Sequence, residues 1–340
     1  MKLNLFLRFV GPSVSLMVLL MAMPLMVTFY LSVRSCAIEM ETVTVQESSP
    51  FGVKEVITQR AKTDANGNTN KVCRYVGLEY FKKVLGLDPD AATSTDAPPD
   101  AGGTATTAVK GQSKEFTSAL RFTLLYTLVT TPIVLFLGFL VALAVNQARP
   151  GMKAFLISAC LLPTIITPIV GSLAIKWLFK DNGLVTYLLS LIDVQIYWMA
   201  QAWSAQLLVI LYGVWHSTPF AFIVLYAGLQ SVPQDSLEAA TIDGANAFQR
   251  LRYVTLPHLM PLAVFISLIN LMDAYRVFEP ALVLTQGAFT TTVQYLTYSI
   301  LTQENNPYKA SAAAVLTTIG IAVIIAPLLV KTWREQRGTT

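Results

Sequence analysis

The sequence predicts an all-α membrane protein with six transmembrane helices and one large segment outside the membrane. Hydrophobic residues make up 54% of the 340 residues and charged residues only 13%, whereas a soluble domain carries about 25% charged residues. Six apolar runs each reach the roughly 20 residues that cross a bilayer. These predicted spans are residues 9–33, 118–146, 153–179, 204–231, 259–285 and 308–332. Lipid cannot hydrogen-bond an exposed backbone, so each span is expected to be helical.

The first run is interpreted as an uncleaved span. Lys2 and Arg8 precede it, but it is longer than the apolar core of about 7–15 residues in a cleaved signal peptide. A lipoprotein signal would place small residues before its cysteine, and Cys36 follows a Val-Arg-Ser sequence instead. Residues 1–35 are therefore expected to be a short tail and a membrane anchor.

Basic residues near the span ends predict that both termini are cytoplasmic, because cytoplasmic loops carry an excess of Lys and Arg. The predicted inside holds Lys2, Arg8, Arg149, Lys153, Arg250, Arg252, Lys331, Arg334 and Arg337. The short outside loops hold Arg34, Lys176, Lys180 and Lys309. The segment 36–115 then lies outside.

This outside insert is predicted to contain a small β-hairpin, a short helix and a disordered linker. Strand-like runs occur at 39–46, 53–62 and 71–76, and the last two flank an Asn66-Gly67 pair that suits a hairpin turn. Residues 76–86 place apolar side chains at helical spacing. Residues 88–114 lack aromatic residues and cannot bury enough apolar surface to offset the entropy of ordering, so they are expected to be a mobile linker.

Cysteine and histidine are too few and too scattered for a metal cluster, so no metal site is expected. Cys36 and Cys73 both lie in the outside insert, where an oxidising compartment permits either a disulfide or two free thiols. Cys160 lies in the third span and is interpreted as a small apolar side chain. The net charge of +4 without a Lys/Arg cluster gives no basis for nucleic-acid binding.

A polar segment, SLEAATIDGANAFQRLRYVTLP, separates the fourth and fifth spans on the predicted cytoplasmic side. Asp235 with Glu238 suggests a capping box for a first helix, and Gly244 is expected to adopt the left-handed conformation at its end. A second short helix leads to Pro257 and the fifth span. We call residues 235–257 the elbow. An interfacial loop that merely connects two spans is the alternative, but such a helix usually has a basic face.

The elbow resembles the EAA loop of permease subunits of binding-protein-dependent ABC importers. The shared pattern is Glu-Ala-Ala, a glycine four residues after the second alanine, and then Leu256-Pro257. The second span and residues 76–86 resemble the larger permease of the maltose, glycerol-phosphate and polyol importers. The resemblance covers 116–335 well and 1–35 loosely, and residues 37–74 depart from it as an insert.

This resemblance implies a type I importer permease fold in a bacterial inner membrane, with a periplasmic insert. It also implies a second permease subunit, two cytoplasmic ATPases that bind ATP and Mg, and a periplasmic solute-binding protein. The chain lacks the G-x-x-x-x-G-K-[ST] phosphate loop, so no catalytic residue and no cofactor of its own are expected. The implied ATPase contact is formed by Asp235, Glu238, Ala239, Ala240, Asp243 and Gly244.

Ionisable residues inside a span are costly and indicate function by default. Asp273, Arg276 and Glu279 are spaced by three residues and are predicted to share one helix face in the fifth span. The functional interpretation is a hydroxyl-binding cavity between the fourth and fifth spans, which would use Tyr212, Gly213, His216, Ser217, Asn270, Asp273, Tyr275 and Arg276, with Trp215 as a further aromatic. The alternative is that Arg276 bridges the two carboxylates on a subunit interface. Arg276 could also bind an anionic solute.

Three functions remain open at this point. A permease subunit of an ABC importer for a carbohydrate-like solute is favoured by the elbow. An ion-coupled secondary transporter would use Asp273 as its coupling site, but no inverted repeat is evident in the sequence. A membrane-anchored receptor would bind its ligand in the insert. The sequence does not distinguish a neutral sugar, a polyol and an anionic sugar derivative, nor this chain from its partner permease as the holder of the solute.

Overall fold

Five helices of the computed structural model are long and apolar enough to cross a membrane, and a bent pair of helices can form a sixth crossing. The predicted all-α membrane fold is therefore confirmed within the part of the chain that the structure describes, which is residues 3–38, 40–49, 52–61, 71–87, 105–191, 193 and 196–337. The helices are α1 (Leu3–Ser32), α2 (Glu79–Leu85), α3 (Ala105–Gln147), α4 (Pro150–Ile165), α5 (Pro168–Phe179), α6 (Leu184–Ser190), α7 (Ala202–Gln230), α8 (Gln234–Ile242), α9 (Ala247–Arg250), α10 (Leu256–Tyr275), α11 (Val293–Thr302) and α12 (Pro307–Arg337). The strands are β1 (Arg34–Ile38), β2 (Met40–Ser49), β3 (Gly52–Ala61) and β4 (Lys71–Tyr75).

The chain forms two compact units, one of residues 1–113 with 300–316 and one of residues 114–299 with 317–340. The first unit contains two antiparallel strand pairs, β1 with β4 and β2 with β3. The predicted small β-hairpin in the insert is confirmed, but it pairs β2 with β3, and the predicted pairing of 53–62 with 71–76 is wrong. The alternation in β2 extends to Ser49 and matches β3 residue for residue, which leaves β4 to pair with a strand that directly follows α1.

The pairing of β1 with β4 places Cys36 opposite Cys73, and the two form a disulfide. Next to it, the Tyr80 hydroxyl donates to Ser35 Oγ at 2.8 Å. The Tyr80 ring stacks on Tyr308 with 6.4 Å between centroids. The short helix α2 is thus held by its aromatic residue rather than by the predicted apolar spacing alone. The Asn66-Gly67 turn lies outside the described residues.

Helix α3 extends beyond the predicted second span, whose observed apolar part, Glu115–Gln147, agrees with the predicted 118–146. Helix α3 starts at Ala105 instead of residue 118, so the predicted linker 88–114 is wrong in its last part. Residues 105–114 are rich in Ala and Thr, which a helix accepts when a long apolar helix follows and supplies the costly nucleus. Residues 88–104 lie outside the described part of the chain.

The third predicted span is broken near its middle. Helices α4 and α5 meet at an angle of 96°, with Ile166 and Thr167 in extended conformations between them. Pro168 is the first residue of α5, where its missing N–H costs nothing, and a proline keeps the preceding residue out of the helical region. The sequence interruption at Pro168 is thus a corner rather than a kink.

The fifth span is shifted toward the elbow. Its helical path is continuous from Ala247 to Tyr275, 29 residues, and includes a π-helical turn at Leu251–Thr255. The predicted span 259–285 is wrong at its far end, since α10 stops at Tyr275 and a second π-helical turn follows at Ala281–Thr285.

Helix α7 forms the centre of the second unit, packing against α4 and α10. Phe222 and Leu208 on this helix are fully buried. Two glycines permit close approach of neighbouring helices. A Cβ at Gly138 of α3 would overlap Ala221, and one at Gly228 of α7 would overlap Leu262.

Candidate functional site

A cavity of about 510 Å³ lies in the second unit between α7 and α10. Its wall is formed by Tyr126, Thr164, Pro168, Tyr212, Gly213, His216, Ser217, Phe220, Ile269, Asn270, Asp273, Ala274, Arg276, Val277, Glu279 and Pro280. Seven of the eight residues expected to contact a solute are among them. A volume of this size falls in the range of small-molecule sites, roughly 300–1,000 Å³.

The α7 side of the cavity is fixed by the break between α4 and α5. The Tyr212 hydroxyl donates to the Pro168 carbonyl at 2.9 Å. His216 Nδ1 lies 3.0 Å from the Pro163 carbonyl in the last turn of α4. Because a carbonyl only accepts, Nδ1 of His216 carries a proton and donates it to this carbonyl. The two rings stack at 5.8 Å with 8° between their planes. Side chains of α7 thus satisfy backbone carbonyls on both sides of the corner.

The α10 side carries a buried amide and the end of a helix. The Thr131 hydroxyl of α3 lies 3.1 Å from Asn270 Oδ1 and 2.8 Å from the Thr127 carbonyl, so its one proton is shared between two acceptors. Helix α10 ends at Tyr275, two residues after Asp273, and Arg276 is its C-cap. Asp273 and Arg276 are both exposed at the cavity wall.

The three ionisable residues do not share a helix face, contrary to prediction. The helix stops between Asp273 and Glu279, so the spacing of three no longer applies. Among the described residues, no ion pair of 4.0 Å or less joins Arg276 to either carboxylate. The bridging arrangement considered from the sequence is therefore not observed. All three residues nevertheless line the cavity.

Two predicted contact residues lie elsewhere. Tyr275 is 1% exposed and its ring lies against Gly320 of α12, away from the cavity wall. Trp215 is 39% exposed and is not in the wall. Both face away because helical rotation separates them from Asn270 and His216.

Sequence reasoning missed the contribution of α3, α4 and α5 to the cavity. Tyr126 approaches Gly213 so closely that a Cβ there would overlap the phenol oxygen. Tyr126 lies among buried threonines on α3, among them Thr123, Thr127 and Thr131. This polar stripe inside an apolar span was the sequence signal that could have predicted the contribution of α3 to the cavity.

The elbow is the second candidate functional region, beside the cavity, and it turns between α8 and α9. The Ala245 N–H donates to the Ala240 carbonyl at 2.9 Å and the Gly244 N–H to the Thr241 carbonyl at 3.1 Å. Gly244 has φ +78°. These bonds form a Schellman motif, in which the residue after the C-cap is left-handed. The motif explains the spacing of alanine and glycine in the sequence, since Ala240 and Gly244 occupy fixed places in it.

The capping box lies in the second elbow helix instead of the first. Pro233 precedes α8 without a side-chain cap, so the box predicted for Asp235 and Glu238 is wrong. Asn246 Oδ1 accepts from the Gln249 N–H at 2.8 Å, and Gln249 Oε1 accepts from the Asn246 N–H at 2.7 Å. Pro233 occupies the N-cap position of α8, so Asp235 lies inside the first turn and not at the cap.

The elbow surface is exposed and mixes apolar with acidic side chains. Ile242, Phe248 and Tyr253 are 87%, 68% and 70% exposed. The residues expected to contact an ATPase, Asp235, Glu238, Ala239, Asp243 and Gly244, are exposed as well, and Ala240 is half-buried. Exposed apolar residues in one contiguous segment are typical of a binding surface.

Comparisons with known proteins identify the family. The sequence model of one protein family, the binding-protein-dependent transport system inner membrane component, matches residues 104–337. A probable ABC transporter permease of Sinorhizobium fredii is 34% identical over 234 residues, which are 67% of this chain and 74% of that protein. The trehalose transport permease SugA of Mycobacterium tuberculosis is 34% identical over 215 residues, which are 63% of this chain and 69% of that protein.

A solved structure supports the same fold. A subunit of a bacterial ABC transporter that imports the acidic polysaccharide alginate superposes with a TM-score of 0.61 at 23% identity, covering 76% of this chain and 91% of that one. At this identity the likeness concerns the fold alone. Together with the family match, it shows that the chain belongs to the binding-protein-dependent transport system inner membrane components, as a permease subunit of an ABC transporter and not as an enzyme.

Proposed function

We propose that this chain is one of two permease subunits of an ATP-driven importer for a carbohydrate or carbohydrate-like solute. The observation that carries the proposal is the cavity between α7 and α10, whose wall combines hydroxyl, amide, imidazole and charged groups. A sugar presents many hydroxyl groups, each of which donates and accepts. Named relatives serve trehalose and maltose, trehalose, and arabinooligosaccharides, which supports this solute class.

In the proposed cycle, the solute occupies the cavity near mid-membrane and contacts the α7 and α10 walls. His216, Ser217, Asn270, Asp273 and Arg276 supply the polar contacts, with Tyr212 and Gly213 shaping the α7 side. Water satisfies these groups between cycles, so solute binding replaces hydrogen bonds instead of creating them from unsatisfied groups. Alternating access then opens the cavity to one side of the membrane at a time.

The elbow is proposed to couple this movement to two separate cytoplasmic ATPases, which bind ATP and Mg. Its exposed apolar and acidic residues suit a groove with a positive rim. A periplasmic solute-binding protein delivers the solute on the opposite side, and both termini lie in the cytoplasm. Family membership removes the basis for an ion-coupled transporter at Asp273 and for a ligand-binding receptor.

Affinity purification of the tagged chain from native membranes tests the assembly. The expected result is a complex that contains an ATPase and a second permease. This complex, reconstituted in liposomes, should hydrolyse ATP faster with its solute-binding protein than without it. It should also accumulate labelled saccharide. Glu238→Lys, which reverses a charge on the exposed elbow, should abolish uptake while the protein still inserts. Saccharide uptake without ATP consumption would contradict the proposal.

A further inference from the structure

The two helices of the elbow are joined by one side-chain contact besides their backbone. Arg250, the last residue of α9, donates from Nη1 to Thr241 Oγ1 of α8 at 2.9 Å. The Thr241 hydroxyl in turn donates to the Leu237 carbonyl at 2.7 Å. Within the described residues no carboxylate lies within 4.0 Å of Arg250, so Thr241 is the partner that orients its guanidinium.

Packing contributes little to the angle between these helices, since Leu237 and Ala240 of α8 are only half-buried. Neither α8 nor α9 has a buried residue. The Schellman motif ends α8 and the capping box begins α9, but both act within their own helix or across its end. The backbone torsions between Ala245 and Asn246 are left without a constraint from either. The Arg250 contact closes a ring across this junction and therefore fixes the angle.

The second elbow helix is also part of the fifth span. Arg250 lies on the continuous helical path from Ala247 to Tyr275. At about 1.5 Å per residue, Arg250 and the cavity residue Asp273 are about 35 Å apart along one helix. A force on α8 reaches this helix through the four-residue linker 243–246 and the Arg250–Thr241 contact.

We propose that Arg250 is a positioning residue for ATPase coupling. By holding α8 at a fixed angle to α9 through Thr241, it makes the elbow move as one body with α10. This inference rests on the proposed function. Without the contact, α8 can follow the ATPase while α10 lags behind, and ATP is hydrolysed without a matching movement at the cavity.

The first test compares Thr241→Val with Thr241→Ser in the reconstituted complex with its binding protein. Valine has the shape of threonine without the hydroxyl, and serine keeps the hydroxyl. For Thr241→Val, the saccharide transported per ATP hydrolysed should fall about three-fold or more, in keeping with the loss of a hydrogen bond to a charged group. Thr241→Ser should keep the wild-type ratio. Arg252→Met removes a neighbouring arginine and serves as the charge control.

A double variant tests whether the two residues act through their contact. Arg250→Met should lower the ratio to the same extent as Thr241→Val, and the combination should be no worse than either alone. Additive losses, or a wild-type ratio in both single variants, would overturn the proposal. A wild-type complex without solute-dependent ATPase activity would instead count against the proposed function.

The elbow angle can be measured independently of activity. Spin labels at Ser236 and Ala247, in a Cys160→Ala background, report the distance between α8 and α9 in the full complex. Arg250→Met should broaden this distance distribution, and Arg252→Met should leave it unchanged. An equally narrow distribution in Arg250→Met would show that the contact does not set the angle.

Discussion

Replacing Gly213 by alanine is expected to destabilise the protein, whereas the same change at Gly151 is expected to stabilise it slightly. Both glycines are helical, and alanine is preferred over glycine in a helix by up to about 1 kcal/mol. A Cβ at Gly151 meets no atom within 4 Å, so this gain is realised. A Cβ at Gly213 would overlap the hydroxyl and ring of Tyr126, which is itself 4% exposed.

The net change follows from these two effects. Overpacking a core costs about 1–3 kcal/mol, and the overlap with both the oxygen and the ring places Gly213 at the upper end. Subtracting the helix preference leaves a loss of about 1–2 kcal/mol. The two variants should then differ by roughly 2–3 kcal/mol, with Gly151→Ala melting at the higher temperature.

Thermal unfolding of the purified chain in detergent, followed by circular dichroism, measures this difference. Adding Tyr126→Phe to Gly213→Ala removes the closest atom and should restore part of the lost stability. Two results would contradict this reasoning. One is that Gly213→Ala melts at or above the wild-type temperature, and the other is that Gly151→Ala loses as much stability as Gly213→Ala. Either would show that α3 and α7 do not approach each other as closely at Gly213 as the contacts indicate.

Three further predictions concern transport and the insert. Asn270→Leu and Ser217→Leu should each reduce saccharide uptake without lowering the protein level, because they remove polar contacts and bury no charge, and normal transport in both would place the solute path elsewhere. Gly244→Val should abolish uptake, since a β-branched residue is strained at φ +78°, and binding-protein-stimulated ATPase activity at the wild-type level would refute this. Peptide mapping without reduction should recover the Cys36–Cys73 disulfide from native membranes, and thiol labelling of both cysteines would rule it out.

The positions of the membrane helices could be predicted because apolar length is a property of one continuous stretch of sequence. The elbow could be located for a similar reason, since the motif around Gly244 is local and its backbone bonds connect residues at most five apart. Where two local signals competed, the prediction failed. Asp235 with Glu238 resembles a capping box, but Pro233 occupies the N-cap position of α8.

Features that depend on distant residues could not be predicted. The corner before Pro168 is held by Tyr212 and His216, which are 44 and 53 residues away from their partners. A single sequence contains nothing that couples these positions. The strand pairing failed for the same reason, because β4 had two possible partners and only the path of the chain after α1 selects between them.

The two interrupted spans have an electrostatic consequence for the cavity. Helix α5 begins at Pro168 on the cavity wall, and α10 ends between two residues of the same wall, Ala274 and Arg276. The start of a helix carries roughly half a positive elementary charge and its end roughly half a negative one. The cavity is therefore bounded by opposite partial charges that belong to the backbone.

Opposite helix ends create a field across the cavity but add no net charge to it. An ion of either sign gains at one end what it loses at the other. A neutral ring that carries hydroxyl dipoles, such as the proposed saccharide, would be oriented by this field. The two helix breaks thus add a direction to the field of the cavity, beside the full charges of Asp273, Arg276 and Glu279 in the same wall.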